Sequence, residues 1–323
     1  MMRPTVAAIL LAILPATAFA QVAQVAPDLG KPIRVVVATG AGGTADVFMR
    51  VIGDEYHRRY GRPLVIENRA GGGMNIGGRA CAEAPPDGST ICNLPNATLS
   101  YNKFLYKKLP YDPEAFEPIT NPFFNTQLLV VSSALGVKTF DALAALSKAK
   151  PGTLSYTVPS EPLSVFMDWW REKNGADLVR VPFKGGGESV NGMLSGATPV
   201  AFFGIANWLP HLAAGTVRPL AVDGDTRSPL VPDVPTVREL GYTADMTRTY
   251  FGIVAPPGTP RAIITRFYEQ FAEIGRDPEF RRKRIVEVGL EPVFDTPDEF
   301  ARYLKEDRLR AGRIVKATGV APL

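Results

Sequence analysis

The chain has 323 residues, of which 46% are hydrophobic and 21% are charged. This composition is typical of a globular protein and excludes a disordered or fibrous one. A formal net charge of +4 is too small for a nucleic-acid-binding surface, and two cysteines with two histidines leave little material for a metal site. The length predicts two domains, since one domain usually takes roughly 150 residues.

Residues 1–20 have the features of a secretory signal peptide. Arg3 supplies a short positive region, Val6–Leu14 is almost wholly apolar, and Ala18–Ala20 matches the small-x-small pattern that precedes cleavage. The apolar run is too short to span a bilayer, which takes about 20 residues. We therefore expect cleavage before Gln21 and an exported, soluble protein. An uncleaved anchor is the alternative.

Three strand–loop–helix units follow in the first third of the chain. Their predicted strands are Ile33–Ala38, Leu64–Glu67 and Thr90–Leu94. This alternation predicts an open parallel sheet. Thr44 would N-cap the first helix, and Gly61 would end it.

The two cysteines lie in the second and third of these units. Cys81 and Cys92 fall eleven residues apart, on a predicted helix and on the strand that follows it. An oxidising compartment permits a disulfide between them, provided that the fold brings the two Cα atoms within bridging distance. Two small buried hydrophobic side chains are the alternative that the sequence leaves open.

A second α/β unit begins after Pro122, and a polar loop over Pro159–Ser164 precedes one of its helices. Its predicted strands are Gln127–Ser132, Leu154–Val158, Val179–Phe183, Pro199–Phe203 and Arg218–Val222. A last strand over Tyr250–Ala255 returns the chain to the first unit. Chain that leaves one unit, builds another and returns predicts two lobes, joined here by crossing segments near 122–127 and 245–252.

The C-terminal region is predicted to be helical. Thr296 and Glu299 form the capping-box pattern that starts the final helix. The basic run Arg281–Arg284 is expected to be a solvated helix face, with docking to a membrane partner as the alternative. Lys184 and Arg248 would either pair with an acidic ligand or form salt bridges within the protein.

Three glycine-rich loops each connect the end of a strand to the start of a helix: Gly40–Thr44, Ala70–Asn75 and Lys184–Gly187. Glycine lets backbone N–H groups face a cleft, and a helix start adds unsatisfied N–H groups and a positive dipole end. Such loops bind anions, including carboxylates, at the carboxyl ends of the strands. A nucleotide is the rival anion, but the first loop lacks G-x-G-x-x-G spacing and no P-loop motif is present.

No nucleophile–base arrangement or metal motif emerges from the sequence. There is no G-x-S-x-G and no H-E-x-x-H, and His57 and His211 are single and far apart. We therefore expect no catalytic residue, no metal and no cofactor.

The glycine-loop sequences resemble those of Bug-type solute receptors, which serve tripartite tricarboxylate transporters. Val36–Asp46 looks like the family's first loop, and Glu67–Gly77 is very similar to its second loop and is the most specific match. Other segments match in the same order, so that the resemblance covers the whole mature chain: Pro86–Thr90, Val181–Gly185, Leu230–Thr236, Ala255–Pro260 and Thr296–Phe300.

The resemblance implies a periplasmic, two-lobed α/β receptor of the Venus-flytrap type, with a type II periplasmic-binding-protein fold. It would close on a small organic carboxylate and deliver it to membrane permease subunits. The first domain would comprise 21–124 and 252–323, and the second 125–251. We also expect a monomer without a nucleic-acid partner. A sensor module that presents its ligand to a signalling receptor, or a secreted enzyme on the same scaffold, is the alternative.

In the family, the first two loops form a pincer whose backbone groups and ordered waters hold one ligand carboxylate. Carried over, the resemblance points to Thr39, Gly42, Gly43, Gly72, Gly73 and Asn75. Thr98, at the end of the third strand, would line the same pocket. Asp46 matches the family's Asp, and we expect it to brace the first loop rather than meet a carboxylate, since like charges repel.

The second lobe would set selectivity, and its candidate ligand contacts are Ser160, Ser164, Lys184, Gly185, Phe203 and Gly204. Here the sequence departs from the family's pattern. Met167 stands in place of a common histidine, Glu161 adds a negative charge, and Gly204 stands in place of a common Asp. These departures predict a distal ligand group less polar than that of citrate, such as an aromatic or short-chain carboxylate.

Overall fold

The computed structural model describes residues 31–158, 160–182, 186–224, 226–242, 248–319 and 322. The predicted signal peptide, Lys184 and Gly185 lie outside the described residues. Within them, no helix is long and apolar enough to cross a membrane.

Strands and helices alternate along most of the described chain. In order they are β1 (Ile33–Val37), α1 (Thr44–Tyr60), β2 (Leu64–Asn68), α2 (Asn75–Ala82), β3 (Thr90–Pro95), α3 (Asn102–Leu105), β4 (Glu117–Thr120), β5 (Phe123–Phe124), β6 (Gln127–Ser132), α4 (Phe140–Ala149), β7 (Ser155–Thr157), α5 (Glu161–Asn174), β8 (Val179–Arg180), α6 (Gly186–Leu194), β9 (Val200–Gly204), α7 (Leu209–Ala213), β10 (Val217–Val222), β11 (Phe251–Ala255), α8 (Arg261–Arg276), α9 (Pro278–Arg281), β12 (Glu291–Pro292) and α10 (Pro297–Thr318). A π-helical turn over Ala97–Tyr101 connects β3 to α3.

The first sheet has the strand order β2–β1–β3–β11–β4. β1, β2 and β3 run parallel, and Val37 of β1 lies beside Asn68 on one side and Asn93 on the other. β11 runs antiparallel to both β3 and β4. The predicted parallel sheet is therefore confirmed for its first three strands. It is incomplete beyond them, because the apolar pattern of a buried strand does not encode its direction.

The second sheet repeats this arrangement in the order β8–β7–β9–β6–β10. β7, β8 and β9 are parallel, whereas β6 runs antiparallel to β9 and to β10. In both sheets, three parallel strands are followed by one antiparallel strand, which is β11 in the first sheet and β6 in the second. Each of these two strands comes directly after a crossing segment. Parallel strands that connect through helices place the loops at their carboxyl ends along one edge of each sheet.

Each sheet has its own hydrophobic core. In the first, α1 buries Phe48, Ile52 and Tyr56 at intervals of four residues, in one cluster with Phe267 and Phe271 of α8. In the second, the ring of Phe140 stacks on Trp170 at 4.0 Å between centroids.

The two crossing segments predicted from the sequence pair with each other. Phe124 forms an antiparallel bridge with Tyr250, and the N–H of Asn125 donates to the carbonyl of Thr249 at 2.8 Å. Asp223, at the end of the second sheet, accepts from the N–H of Gln127 at 2.7 Å. These main-chain contacts fix the position at which the chain passes between the sheets.

Arg248 lies at the same crossing. Its guanidinium pairs with Glu291 and stands 3.8 Å from the centroid of the Phe124 ring. Of the two roles that the sequence left open for Arg248, the structure shows the salt bridge within the protein.

Helix α2 packs unusually close to the first sheet because two consecutive positions are glycine. A Cβ on Gly77 would approach the Cα of Ala38 to 2.6 Å, and one on Gly78 would approach the Tyr111 ring at the same distance. A disulfide joins Cys81 on α2 to Cys92 on β3, with Cα atoms 6.0 Å apart and both side chains fully buried. Of the two alternatives for the cysteines, the structure contains the disulfide.

Two element boundaries differ from the prediction. The N-cap of α1 is Gly43, and Thr44 is its first helical residue, without a side-chain cap. α5 begins at Glu161, so Ser164 lies in its first turn and not in a loop. Its second residue is proline, which is well tolerated in the first turn of a helix because an N–H there has no intrahelical acceptor. The predicted capping box at the start of α10 is confirmed.

Removal of the disulfide should destabilise the protein markedly. We expect the Cys81→Ala/Cys92→Ala variant to lose about 3 kcal/mol of unfolding free energy, because the cross-link restricts the unfolded chain. Urea unfolding followed by circular dichroism measures the difference. The wild type unfolded in the presence of a reductant should match the double variant. Equal midpoints for the oxidised wild type and the variant would contradict this role.

Candidate functional site

The first two glycine loops and Thr98 meet at the carboxyl ends of β2, β1 and β3. The side-chain amide of Asn68, at the end of β2, donates to the carbonyl of Thr39 at 3.0 Å. The hydroxyl of Thr98 lies 3.5 Å from the carbonyl of Met74. The structure therefore brings together the residues that the resemblance assigned to one pocket in the first lobe.

In the first loop, two amides predicted to face a ligand are used within the loop itself. The N–H of Gly42 donates to Asp46 Oδ2 at 2.8 Å, and the N–H of Gly43 reaches the carbonyl of Gly40 at 3.3 Å. Gly42 has a φ of +78°, which favours glycine at this point. The donors left for a ligand here are the N–H groups of the first turn of α1, which lack intrahelical acceptors.

Asp46 braces this loop, as the sequence predicted. Its side chain is 3% exposed and forms an ion pair with Arg50 at 2.9 Å, one turn along α1. Burial by itself raises the pKa of Asp46, but hydrogen bonds from Arg50, Gly42 and Asn68 outweigh burial and hold the pKa below its ordinary value. A carboxylate committed to these donors has no role as a partner for a ligand anion.

The second loop has four consecutive residues with positive φ. Gly71, Gly72 and Gly73 have φ of 112°, 57° and 62°, and Met74 follows with 71°. Such a run requires glycine, and at Met74 it places a non-glycine residue in a sparsely populated region. All three glycines are exposed, and the N–H groups of Gly72 and Gly73 have no acceptor among the described residues. These amides are available to an anion.

A buried polar network supports the second loop from behind. Asn75 Oδ1 accepts from Asn102 Nδ2 and from the hydroxyl of Tyr111, both at 2.7 Å. Asn102 Nδ2 also donates to the carbonyl of Gly73 at 2.8 Å. Burial raises the pKa of Tyr111, so its hydroxyl remains a donor at neutral pH. Since the oxygen of Asn75 is engaged inward, its Nδ2 is the group left for a ligand.

The sequence did not identify Asn102 or Tyr111. Each acts across the fold on a loop roughly thirty residues earlier in the chain, and neither belongs to a motif. Asn102 is fully buried, but its helix has the sequence Asn-Lys-Phe-Leu, which contains no apolar pattern that would indicate this burial.

Several buried hydroxyl oxygens near the strand ends have no hydrogen-bond partner among the described residues. In the first lobe this is Thr39 Oγ1; in the second they belong to Thr157, Ser160, Ser164 and Ser189. Thr157 ends β7, Ser160 is the N-cap of α5, and Ser164 follows one turn later. A buried hydroxyl without a partner costs free energy, so each of these groups retains an unused hydrogen bond. Thr157 and Ser189 were not predicted.

The remaining candidates of the second lobe have different surroundings. Phe203 is half-buried against the core of the second sheet, and Gly204 is buried beside Asn125, whose Oδ1 would lie 3.2 Å from a Cβ at Gly204. Met167 is fully buried in the core formed by α4, α5 and the second sheet. The expectation of a less polar distal ligand group therefore gains no support from Met167, because this side chain faces the core.

Comparison with known proteins assigns the chain to a family. Residues 48–320 match the profile described as the tripartite tricarboxylate transporter family receptor. This chain belongs to that family. The receptor is 30% identical to protein BugT of Bordetella pertussis, over 90% of each chain. The predicted Bug-type membership is confirmed, and the receptor is a solute-binding protein rather than an enzyme.

Solved structures agree with the two-lobed periplasmic-binding-protein fold. A protein of R. palustris solved with adipate superimposes with a TM-score of 0.82 and 28% identity, over 91% of the receptor and 99% of that chain. MatC from Rhodopseudomonas palustris, solved with bound malate, gives a TM-score of 0.78 and 26% identity, over 88% and 99% of the two chains. The predicted fold class is confirmed.

Replacement of Asp46 should affect stability more than ligand affinity. We expect Asp46→Ala to lower the unfolding free energy by about 1–3 kcal/mol at pH 7, because Gly42 and Arg50 lose a charged partner. The folded-state pKa of Asp46 is lowered, so its contribution is present above about pH 4 and disappears as the pH falls through that folded-state value. Urea unfolding at neutral and acidic pH should show that the difference in unfolding free energy between the wild type and Asp46→Ala becomes smaller at acidic pH.

The matched control is Asp54→Ala, since Asp54 is an exposed carboxylate on the same helix. It should leave the unfolding free energy within about 0.5 kcal/mol of the wild type. A loss of affinity in Asp46→Ala without a loss of stability would instead make Asp46 a ligand contact.

Proposed function

We propose that the receptor binds a small organic carboxylate between its two lobes in the periplasm and delivers it to membrane permease subunits. The observation that carries this proposal is the second glycine loop. Its exposed N–H groups at Gly72 and Gly73 have no acceptor in the described part of the chain. They lie beside the neighbouring strand end, which carries the hydroxyl of Thr39, also without a partner among those residues.

These hydrogen-bond donors favour an anion with oxygen acceptors, such as a carboxylate. The backbone N–H groups of the second loop and the start of α2 supply partial positive charge, and the first turn of α2 contains no acidic residue. The two solved relatives hold adipate and malate, which carry carboxylate groups at both ends. This agreement between the free donors and the relatives' ligands supports a carboxylate for the receptor.

The two lobes would hold different parts of the ligand. In the first, Gly72, Gly73 and Asn75 Nδ2 would donate to one carboxylate, with Thr39 completing its hydrogen bonds. In the second, the hydroxyls of Ser160 and Ser164 would meet the distal group. Hydroxyls donate and accept, so this lobe would select by shape and hydrogen bonding.

The extent of each lobe follows from the strands. We infer a first lobe of 21–124 and 252–323 and a second of 125–251, since β1–β4 and β11 lie in the former and β6–β10 in the latter. The mature receptor would begin near Gln21, after cleavage of the signal peptide, and act as a monomer.

Stabilisation by carboxylates tests the proposal directly. Adipate and malate, with citrate and benzoate alongside, should raise the melting temperature of the mature receptor if they bind its native state. A ligand at a hundredfold excess over its Kd adds about 2.7 kcal/mol to the unfolding free energy. Adipamide, the uncharged analogue of adipate, is the matched control and should have no effect. If none of these carboxylates changes the melting temperature, the result would argue against a carboxylate of these classes.

A substitution at Ser164 tests the proposed contribution of the second lobe to ligand binding. We expect Ser164→Ala to weaken binding of whichever panel carboxylate binds by roughly ten- to hundredfold, because a hydrogen bond to a charged group is lost. Isothermal titration calorimetry measures the affinity. Ser195→Ala is the matched control, since Ser195 is exposed on the same lobe. Equal affinities for the Ser164 variant and the wild type would remove Ser164 from the ligand site.

A further inference from the structure

Helix α5 faces two hydrophobic environments. Leu163, Phe166, Met167 and Trp170 recur at helical spacing and enter the core of the second sheet. Val165 points to the opposite side of the helix, yet it is only 3% exposed. A valine that faces away from its own core and is still buried must be covered by another part of the protein.

The cover comes from elements of the first lobe. Val165 belongs to a buried cluster with Tyr101 and Leu105 and with Ala311 and Val315 of α10. We call these five residues the bridging cluster. Only Val165 comes from the second sheet's side of the protein; the other members follow β3 or lie on the C-terminal helix.

Helix α10 is firmly attached to the first lobe. Arg308 donates to the carbonyl of Leu99 at 2.9 Å and to that of Pro113 at 2.7 Å. Gly312 allows the ring of Phe104 to pack against the helix, since a Cβ there would lie 2.9 Å from it. The surface that covers Val165 is therefore fixed relative to the first sheet.

The bridging cluster also reaches the second glycine loop. Tyr106 packs against the cluster, and a Cβ on Gly73 would overlap the Tyr106 hydroxyl. One step along α5 from Val165 is Ser164, with its unpartnered hydroxyl. The cluster thus lies between the loop of the first lobe and the start of α5 in the second.

We propose that Val165 is a closure residue. Its insertion between helix α10 and the side chains of Tyr101 and Leu105 holds the two lobes together without any ligand. Opening about the crossing segments would withdraw Val165 from the cluster and expose it to water. The apolar contact therefore biases the receptor towards the closed arrangement before a ligand adds its own contacts. This proposal rests on the lobe boundaries proposed above, and it does not depend on which solute binds.

Small-angle X-ray scattering of the dialysed mature receptor, with no carboxylate added, tests the proposal. We expect Val165→Asp to increase the radius of gyration relative to the wild type, because closure would bury a carboxylate without a partner. Val165→Ala removes two buried methyl groups and should lower the ratio of closed to open protein by roughly tenfold. Thermal unfolding of each variant checks that it remains folded.

The matched control is Val179→Asp, since Val179 lies on the second lobe and is 50% exposed. Its scattering should superimpose on that of the wild type. If Val165→Asp does not fold, Val165→Ala decides the question. Scattering curves that are identical for the wild type and the folded Val165 variants would overturn the proposal. The carboxylate panel measures binding separately, so either proposal can fail without the other.

Discussion

Antiparallel pairing between the two crossing segments is the constraint on which the rest of the receptor depends. Phe124 bridges Tyr250, and Asn125 donates to Thr249, at the point where the chain passes between the sheets. β6 follows the first crossing and β11 follows the second, so each sheet takes its antiparallel strand directly from a crossing. The first sheet is completed only after the chain has returned through the second crossing, because β11 lies between β3 and β4.

The position of the N–H donors in the second glycine loop depends in turn on how rigidly α2 is held. Gly77 lets the helix approach the end of β1, and Gly78 lets it pack against Tyr111. The disulfide ties the helix to β3, and Asn102 donates to the carbonyl of Gly73. Met74 remains at a positive φ because these contacts over-determine its position. Donors held in place before a ligand arrives lose little entropy on binding, which favours affinity.

Local sequence patterns made many of these elements predictable. Apolar runs marked β1, β2 and β3, glycines marked the loops after them, and Thr296 with Glu299 marked the start of α10. What the sequence missed depends on contacts between distant segments. The direction of β11, the hydrogen bonds from Asn102, and the burial of Val165 each need a partner far along the chain. Gly42 shows the same limit, because only the fold reveals that its N–H already serves Asp46.

The division between main-chain and side-chain donors explains how one family can take different solutes. Gly72 and Gly73 offer backbone N–H groups, which remain donors whatever side chains surround them as long as the left-handed loop is kept. Ser160 and Ser164 offer hydroxyls, which a single substitution removes or reshapes. The receptor is 28% identical to a protein solved with adipate and 26% identical to one solved with malate, so proteins that share this fold hold different carboxylates. Under the proposed function, the glycine loop would hold the carboxylate that such ligands share, and the start of α5 would meet the part in which they differ.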